Sequence, residues 1–557
     1  MKEKIKKIIG KVIKSLVKEP VDFSVEIPGE KSHGDYSTNI ALVLAKKLGK
    51  TPKDVAEEIK LKINNNLFSK IKVAGPGFIN FFINDKYFID NLRSVDKNYG
   101  KGDELKNKKL IIDYTDPNIL KEFHIGHLMS NTVGEALSRI FEFQGAKVKR
   151  VCYQSDVGMG VAKAVWGKLK MPEFSWQDAY VFGSKNYEED ENAKKEIIEL
   201  NKKNFTRSNT EINKLYDEGK KESLKRFGEI YKKLGTKFDY FIFESQVAES
   251  GKKIVKKGLK NGIFEKGENG AIIFKGEKYG LHTRVFINSE GLPTYEAKDL
   301  GLAEIKYKKY VYDKSVIVTG NEVNDYFKVM LCVMDQTNKN LSEKTKHIGH
   351  GMLRLPEGKM SSRTGKIITG ESLIEKVKEL IVKKMSEREK KPASAIGSGE
   401  AREISEKVAI GAIKYSILKQ SIGSDIIYDF NKSISFEGDS GPYLQYSYAR
   451  ANSVLEKAKK EKVKPSLSKT PSEIGQLEKA ISCFPEIVLK ACKNYEPHFL
   501  VLYLTELAGT FNSYYAKNKI VDKTDKFSPY KTALTKAFAQ IMQNGMRILG
   551  METLNKM

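Results

Sequence analysis

The order of strands and helices near residue 110 constrains the fold of this chain more than any other feature. A strand pattern covers Leu110–Tyr114, a loop with Pro117 follows, and an amphipathic helix runs to Gly145 before a second strand through Val148 and Val151. A strand, a helix and a second strand in this order form a βαβ unit, whose strands lie parallel in one sheet. The sequence therefore predicts an α/β fold built on a parallel sheet.

The length of the chain predicts further domains around this sheet. A chain of 557 residues exceeds one hydrophobic core and predicts roughly three or four folding units. Residues 1–105 alternate helical and strand patterns and predict an α+β domain. The α/β pattern covers residues 106–385, with a polar helical insertion at about 165–250. Residues 386–435 are predicted to be a linker and helical connection, and residues 436–557 an all-α domain.

The charge balance favours a polyanionic partner or a phosphate-rich substrate. Lys and Arg number 97 against 71 Asp and Glu, so the formal net charge is +26. Lysine supplies most of these cations, and such a skew equally fits a compositional habit of the source genome. A hydrophobic content of 40% is too high for a disordered chain and sufficient for packed cores.

Cysteine spacing and apolar run lengths exclude other classes of protein. The four cysteines are dispersed and contain no CxxC pair, so neither a disulfide framework nor a structural metal site is predicted. This usage fits a reducing compartment and predicts a cytoplasmic protein. The longest apolar runs fall far short of the roughly 20 residues of a membrane span, so no membrane association is expected.

A pair of histidines marks the start of the helix that follows the first strand. His124 and His127 lie three residues apart at this helix start, with Gly126 between them. A helix N-terminus beside the carboxyl end of a parallel strand offers free N–H groups and a positive dipole end, which suit phosphate. The imidazoles can donate hydrogen bonds as charge develops during phosphoryl or adenylyl transfer, and Gly126 leaves room for an adenine. The alternative is a pair of helix-capping histidines that bind no ligand.

A glycine-flanked basic segment forms the second element of chemistry. Lys359, Met360, Ser361, Ser362 and Arg363 follow the last predicted strand of the α/β region. Lysine, arginine and hydroxyl side chains between glycines suit a loop that closes on a triphosphate. The alternative is a basic turn without a ligand. HxGH in the first βαβ unit together with KMSxx after the last strand resembles the two signatures of class I aminoacyl-tRNA synthetases.

The letters HxGH occur a second time, at His347–His350. This copy is not preceded by a strand and a proline loop and does not open an amphipathic helix. Catalysis is therefore assigned to the first copy, and His347 and His350 are expected to be structural. The resemblance implies that Gly351 and Met352, just after the second copy, offer main-chain contacts to the adenine of ATP.

Three further regions resemble arginyl-tRNA synthetases in particular. The segments are Asp425–Glu437 with Gly438–Arg450, Gly34–Asn39 with Gly75–Asn80, and Pro117–Asn118 just before HxGH. This resemblance implies a Rossmann-type catalytic domain, an additional N-terminal domain that contacts the tRNA elbow, and a C-terminal all-α anticodon-binding domain.

The side chains expected to bind arginine follow from the resemblance and from guanidinium chemistry. A guanidinium is a planar fork of donors, best bound by a carboxylate at its edge and an aromatic ring against its face. Tyr295 and Asp299 lie one helical turn apart and match the family residues that contact arginine. Asn118 matches an amide that holds the amino-acid end, and Glu268 is the match for a further glutamate. Without a ligand, the Tyr-Asp face is an ordinary half-buried helix surface.

One departure from the family signature points to Lys121. Many class I enzymes have KMSKS, whereas the second lysine is Ser362 here. Arginyl enzymes that lack this lysine typically carry one just upstream of HxGH, where this chain has Lys121. The resemblance implies that Lys121 supplies the missing charge, supported by Lys359; a plain surface lysine is the alternative.

The resemblance also names residues that contact tRNA. The N-terminal candidates are Phe78 and Asn80, and the C-terminal candidates are Tyr443, Tyr446, Arg450, Tyr515 and Met557. Stacking rings and cations suit unpaired bases. An aromatic stripe of this kind is otherwise usually part of a core.

The resemblance implies an ATP-dependent attachment of L-arginine to tRNA through an arginyl-adenylate. ATP is expected as a substrate with Mg²⁺ on its phosphates and no dedicated protein cage, and the enzyme is expected to be a monomer. Two alternatives stay open: a class I synthetase for another amino acid, and a non-catalytic tRNA-binding paralogue.

Overall fold

The computed structural model describes residues 1–354, 369–389 and 399–557. These residues form two compact units, each made of three chain segments. The first unit contains Met1–Gly100, Arg450–Val488 and Leu507–Asn544, and the second contains Lys101–Ala449, Leu489–Glu506 and Gly545–Met557.

The N-terminal part of the first unit is an α+β fold. Its elements are α1 (Lys2–Ile13), β1 (Val25–Glu26), β2 (Tyr36–Thr38), α2 (Ile40–Leu48), α3 (Pro52–Lys62), β3 (Phe68–Ala74), β4 (Phe78–Ile83) and α4 (Asp85–Arg93). The strands form an antiparallel sheet in the order β1-β2-β4-β3. The apolar face of α1, with Ile5 and Ile9, is buried in the core with Phe81 of β4.

C-terminal helices complete the first unit. Asp35 forms an ion pair with Lys479 at 2.8 Å, the Tyr36 hydroxyl donates to Glu486 at 3.3 Å, and Asn544 donates to the carbonyl of Asp96. The N-terminal α+β region therefore shares its unit with helices from the end of the chain.

The second unit is built on the predicted parallel sheet. Its strands are β5 (Lys109–Asp113), β6 (Lys147–Gln154), β7 (Tyr240–Phe243), β11 (Lys314–Gly320) and β12 (Thr345–His350), in the order β12-β11-β5-β6-β7 with every pair parallel. The predicted unit β5-α5-β6 is confirmed, with α5 at Ile125–Phe143. The strand order reverses between β5 and β11, and ligands of such sheets bind at the carboxyl ends of the strands beside the reversal.

Helices and short strands surround this sheet. The insertion consists of α6 (Met159–Lys170), α7 (Trp176–Glu189), α8 (Glu191–Thr206) and α9 (Thr210–Leu234), and the sheet resumes with β7. Between β7 and β12 lie α10 (Glu244–Lys260), the antiparallel strands β8 (Glu265–Lys266), β9 (Ile272–Phe274) and β10 (Arg284–Ile287), then α11 (Tyr295–Lys309), α12 (Asn324–Thr337) and α13 (Lys339–Lys344).

The remaining elements are mostly helical. They are β13 (Leu353–Arg354), α14 (Gly370–Glu389), α15 (Gly399–Leu418), β14 (Ile426–Ile427), α16 (Phe430–Ser433), α17 (Gly441–Lys460), α18 (Gln476–Ser482), α19 (Phe484–Asn494), α20 (His498–Lys517) and α21 (Ser528–Ile548). Much of the predicted linker after residue 385 is thus helix. None of the helices in the described ranges is long and apolar enough to cross a membrane.

Candidate active site

The loop that follows β5 has an unusual backbone. Thr115, Asp116 and Leu120 all have positive φ angles, of 85°, 45° and 65°. Such conformations are costly for residues with a side chain and persist only where surrounding contacts hold them. Asp116 accepts a hydrogen bond from the amide of Tyr153 at 2.7 Å, and the Thr115 amide donates to Ser130 at 2.9 Å. The loop is therefore held rigidly at the reversal point of the sheet.

His124 and His127 form a capping box at the start of α5. The Nδ1 atom of His124 accepts from the amide of Gly126 at 3.1 Å, and the Nδ1 atom of His127 accepts from the amide of His124 at 3.2 Å. Burial, and secondarily the charge of Lys121, lower the pKa of His124 to about 4, and burial holds the pKa of His127 well below its usual range. Both rings are thus neutral at pH 7. Since each Nδ1 is an acceptor, each Nε2 carries the hydrogen and is a donor.

Two neighbours define the surroundings of this turn. A Cβ on Gly126 would lie 2.9 Å from Cε1 of His124, so glycine lets the histidine ring fold back over the helix start. The Nζ atom of Lys121 lies 3.9 Å from the centre of the Tyr180 ring, on α7 of the insertion. Because the charge of Lys121 lowers the pKa of both histidines, the ammonium group lies close to them.

A cavity of about 700 Å³ opens between the carboxyl ends of β5, β6, β11 and β12. Its wall contains Asn118, His124, Gly126 and His127 on one side. In the described part of the chain, the histidine turn and Asn118, which is predicted to bind the amino-acid end of arginine, thus line the same cavity. This volume lies within the usual range for sites that bind small molecules.

One end of the cavity is rich in tyrosines and carboxylates. Tyr295 and Asp299 of α11 line it, together with Tyr153, Glu296 and Tyr326. The Tyr326 hydroxyl donates to Asp299 at 2.6 Å. Burial raises the pKa of Asp299 to about 7, whereas Tyr295 is 56% exposed, so its ring is open to a ligand. A carboxyl group held away from water in this way suits a cationic ligand.

Two buried ion pairs lie beside this end. Lys298 donates to Glu244, the first residue of α10, and its Nζ lies 4.5 Å from the centre of the Tyr295 ring. Lys306 and Asp113 form the second pair at 3.0 Å. The second carboxylate oxygen of Asp113 and the hydroxyl of Tyr153 are both buried, and neither has a hydrogen-bond partner among the described residues. These two atoms are therefore available to a ligand.

Glu268 does not join this group. It lies in a short 3-10 helix between β8 and β9, is exposed, and is not among the described residues that line the cavity. Glu244, in contrast, is buried next to Tyr295 and pairs with Lys298, although it too is not among the described residues of the cavity wall.

Gly351 and Met352 also line the cavity, but most of their main-chain groups have partners in the protein. The amide of Met352 donates to Asp425 at 2.9 Å, and its carbonyl accepts from Ile426 at 2.8 Å. A Cβ on Gly351 would lie 2.0 Å from the carbonyl oxygen of Ser424. Glycine is thus required here by the packing of the chain against itself.

The basic signature segment lies outside the described residues, including Lys359, Met360, Ser361 and Ser362. The described chain stops at Arg354, which pairs with Asp425 at 2.7 Å, and resumes at Thr369. Thr369 forms a β-bridge with His124, and the amide of Gly370 donates to the carbonyl of Phe123 at 2.7 Å. Thr369 and Gly370, where the described chain resumes, are therefore joined to the histidine turn.

The two N-terminal tRNA candidates have different surroundings. Phe78, the first residue of β4, is 40% exposed, so its ring is open to a partner. Asn80 is buried and accepts a hydrogen bond from Ser37 at 2.7 Å across the β2–β4 pair. Its side chain is already engaged within the sheet.

The C-terminal candidates lie on helices or at the chain end. Tyr443 and Tyr446 are half-buried on α17, and Met557 is half-buried beyond α21. Arg450 donates to Asn512 at 2.6 Å and lies 5.2 Å from the centre of the Tyr515 ring, which is 41% exposed. Arg450 and Tyr515 therefore form one local cluster within the first unit.

Comparison with known proteins covers the whole chain. Three family models match in order: the arginyl tRNA synthetase N terminal domain over residues 2–83, the class I (R) tRNA synthetase catalytic domain over residues 89–430, and the DALR anticodon binding domain over residues 444–557. The chain is 31% identical to a protein named arginine–tRNA ligase from Borreliella burgdorferi, with 100% of this chain and 99% of the relative covered. The same name belongs to a Clostridium acetobutylicum relative at 31% identity, with 100% and 99% covered.

Solved structures of the same class share the fold. The arginyl-tRNA synthetase of Plasmodium falciparum gives a TM-score of 0.79 at 22% identity and covers 100% of this chain and 99% of that one. The Thermus thermophilus enzyme gives 0.79 at 20% identity and covers both chains fully. With these models and relatives matched from end to end, the chain belongs to the arginyl-tRNA synthetase family of class I enzymes.

Proposed function

We propose that this chain joins L-arginine to tRNA in two steps within the cavity described above. The proposal is carried by one observation: a single cavity contains both the two imidazole N–H donors and a group of carboxylates and tyrosines. The donors suit phosphate oxygens, and the acidic end suits a guanidinium. An amino acid bound between them has its carboxylate directed at ATP.

Arginine binds at the acidic end. Asp299 accepts from the guanidinium, and Tyr295 provides a ring face for it. The Tyr153 hydroxyl, which has no partner among the described residues, adds an acceptor on the same side, and Glu244 lies next to Tyr295. Asn118, from the rigid loop after β5, holds the amino-acid end. Glu268 is not part of this proposal because its side chain is exposed elsewhere.

ATP binds with its phosphates at the start of α5. His124 and His127 donate through Nε2 to the oxygens that gain charge in the transition state, and the helix N-terminus adds a favourable dipole. Lys121 lies close enough to contribute positive charge, which supports its role as the substitute for the missing lysine. We assign Lys359, Met360, Ser361 and Ser362 to the same phosphate site on their signature alone.

The chemistry balances without a covalent enzyme intermediate. An arginine carboxylate oxygen attacks the α-phosphorus, the bond to the bridging oxygen breaks, and pyrophosphate leaves. A ribose hydroxyl of the terminal tRNA adenosine then attacks the arginyl carbonyl carbon, and AMP leaves. The protein contributes position and charge.

Mg²⁺ arrives with ATP, bound to its phosphates. In the described residues, no group of three or more His, Cys, Asp or Glu side chains is arranged to hold a metal ion. Mg²⁺ prefers to retain waters and to bind phosphate oxygens of the substrate, so a protein cage is not required.

For tRNA we propose contacts on both ends of the chain. Phe78 is the exposed stacking residue of the N-terminal region, and Asn80 holds its strand in place. The Arg450–Tyr515 cluster, Tyr446 and Met557 belong to the region that matches the anticodon-binding model, and Tyr443 directly precedes it. The four free thiols fit a cytoplasmic enzyme. We propose a monomer, and light scattering measures the assembly state.

The function is tested by pyrophosphate exchange into ATP with each of the standard amino acids, with and without tRNA. Among the amino acids, only arginine is expected to support exchange. Exchange with a different amino acid would indicate a class I synthetase of other specificity. A folded chain that binds tRNA but gives no exchange would indicate a non-catalytic paralogue.

A further inference from the structure

The second HxGH copy lies on a strand, and its two histidines have different surroundings. The Nε2 atom of His347 lies 2.7 Å from the Thr319 hydroxyl, and its ring stacks on Phe327 with centroids 3.9 Å apart. His347 is therefore a packing residue, as expected from the sequence. His350, in contrast, is 3% exposed and lies in the wall of the cavity beside Gly351 and Met352.

The hydrogen bonding of His350 determines which of its nitrogens carries the proton. Nδ1 lies 2.8 Å from the carbonyl oxygen of Gly351. Because a carbonyl can only accept, Nδ1 is the donor. Burial lowers the pKa of His350, so its ring is neutral at pH 7 and Nε2 has a lone pair. This Nε2 is buried and has no partner within the described ranges.

The histidines of the first copy and His350 of the second copy thus have opposite hydrogen-bonding roles at Nε2. His124 and His127 receive main-chain amides on Nδ1 and are donors at Nε2, whereas His350 is an acceptor at Nε2. Donors suit phosphate oxygens. A buried acceptor without a partner is costly, and the cost is removed when a ligand donates to it.

The place of His350 in the cavity indicates which ligand group donates. The acidic residues take the guanidinium and the start of α5 takes the phosphates, so Gly320, Glu322 and Met352 are left in the cavity wall for the nucleoside. The carbonyls of Gly320, Gly351 and Met352 each already accept one hydrogen bond within the protein, whereas Nε2 of His350 accepts none from the described residues. The Glu322 carboxylate suits the ribose hydroxyls, and an amino group that donates to Nε2 of His350 satisfies the acceptor in this wall that has no partner.

We propose that His350 is an adenine-recognition residue whose Nε2 accepts a hydrogen bond from the 6-amino group of ATP. Guanine has an oxygen at this position, and two acceptors would face each other. His350 therefore selects ATP over GTP. The inference rests on the proposed location of ATP along the cavity.

The test pairs a side-chain change with a change in the nucleotide. Pyrophosphate exchange with arginine and tRNA is measured for the wild type, His350→Phe and His350→Gln, with ATP and with purine riboside triphosphate, which lacks the 6-amino group. In the wild type, loss of the amino group raises KM by about three- to tenfold, the range of one neutral hydrogen bond. His350→Phe raises KM for ATP by the same factor and no longer distinguishes the two nucleotides. His350→Gln, which keeps an acceptor, retains part of the preference.

His347→Phe is the matched control, because His347 belongs to the same HxGH copy. This variant is expected to keep the wild-type preference for ATP. An unchanged preference in His350→Phe would overturn the proposal. The proposal would also be overturned if His350→Phe kept the preference for ATP over the purine riboside triphosphate but changed the discrimination against 2′-deoxy-ATP or 3′-deoxy-ATP. The group that donates to Nε2 would then be a ribose hydroxyl. If His350→Phe does not fold, the wild type decides: equal use of both nucleotides contradicts the role of His350. Absence of wild-type exchange with ATP and arginine would instead contradict the proposed function.

Discussion

The imidazole rings of His124 and His127 lie stacked, with centroids 3.6 Å apart, and His124 is also the N-cap of α5. His124 thus has two separable roles. Asparagine is a good N-cap residue, whereas alanine is a poor one. We expect His124→Asn and His124→Ala to lose arginine activation alike, by roughly 100-fold or more, because both lack the Nε2 donor.

The stability of the same two variants separates the roles. His124→Asn should unfold at nearly the wild-type urea concentration, whereas His124→Ala should lose about 1 kcal/mol of the free energy of unfolding. Equal stability of the two variants would show that His124 does not cap the helix.

Arginine binding should depend on pH through Asp299. Burial raises the pKa of this carboxyl to about 7, and only the carboxylate pairs with a guanidinium. Binding therefore releases a proton, and the affinity for arginine should fall about tenfold per unit well below pH 7. Calorimetry in buffers of different ionisation enthalpy measures the released proton. Asp299→Asn should bind arginine roughly 100-fold more weakly and without this pH dependence.

The stability of the ligand-free protein should change with pH in the opposite sense. The folded pKa of Asp299 lies above its ordinary value of 3.8, so the folded state binds more protons between about pH 4 and 7. The contribution of Asp299 to stability is therefore greatest below this window and falls as the pH rises through it. Asp299→Asn should flatten this part of the stability profile, as followed by thermal unfolding at several pH values.

Tyr153 should contribute to arginine affinity at a cost to stability. Its buried hydroxyl has no partner in the described chain, so Tyr153→Phe should raise the free energy of unfolding by about 1 kcal/mol. The same change should raise KM for arginine about tenfold with little change in KM for ATP. The hydroxyl of Tyr312 is likewise buried without a partner in the described chain, but Tyr312 is not among the described residues of the cavity wall, so Tyr312→Phe should leave both KM values unchanged. A KM for arginine that stays at the wild-type value in Tyr153→Phe would remove this residue from the site.

Lys121→Ala should lower the rate of activation roughly 100-fold while leaving KM for arginine within about twofold. The reason is that the charge of Lys121 acts on the two histidines, whereas Lys121 is not among the described residues of the cavity wall that contains Asp299. Lys163 offers a control with a similar contact, because its Nζ lies 4.0 Å from the ring of Tyr187, which is on α7 as Tyr180 is. Single-turnover adenylate formation measures the rate; a wild-type rate in Lys121→Ala would exclude the proposed role.

Lys306→Met should be strongly destabilising. It leaves the buried carboxylate of Asp113 without its cation, at a cost of about 3 to 5 kcal/mol. The double variant Asp113→Asn with Lys306→Met removes both charges and should recover most of the loss in urea unfolding. A double variant no more stable than Lys306→Met would contradict this account.

Sequence patterns predicted the parts of the site that local periodicity encodes. The unit from Leu110 to Val151 follows from its apolar spacing, and the position of His124 follows from the strand and proline loop before it. Tyr295 and Asp299 lie one turn apart on α11, and both reach the cavity. In each case a local pattern determines the side-chain direction.

Other site residues depend on contacts between distant segments. Tyr153 and Glu244 come from the end of β6 and the start of α10, and no sequence motif around them indicates a binding role. Glu268 was the predicted glutamate because of the glycine and alanine after it, yet its 3-10 helix lies at the surface. The proton position on His350 depends on the carbonyl of Gly351, which only the three-dimensional structure reveals.

The bridge between Thr369 and His124 is made by main-chain atoms. Main-chain pairing does not depend on which side chain a residue carries, so replacing Thr369 by any residue that keeps its main-chain N–H should leave the chain at Thr369 joined to the histidine turn.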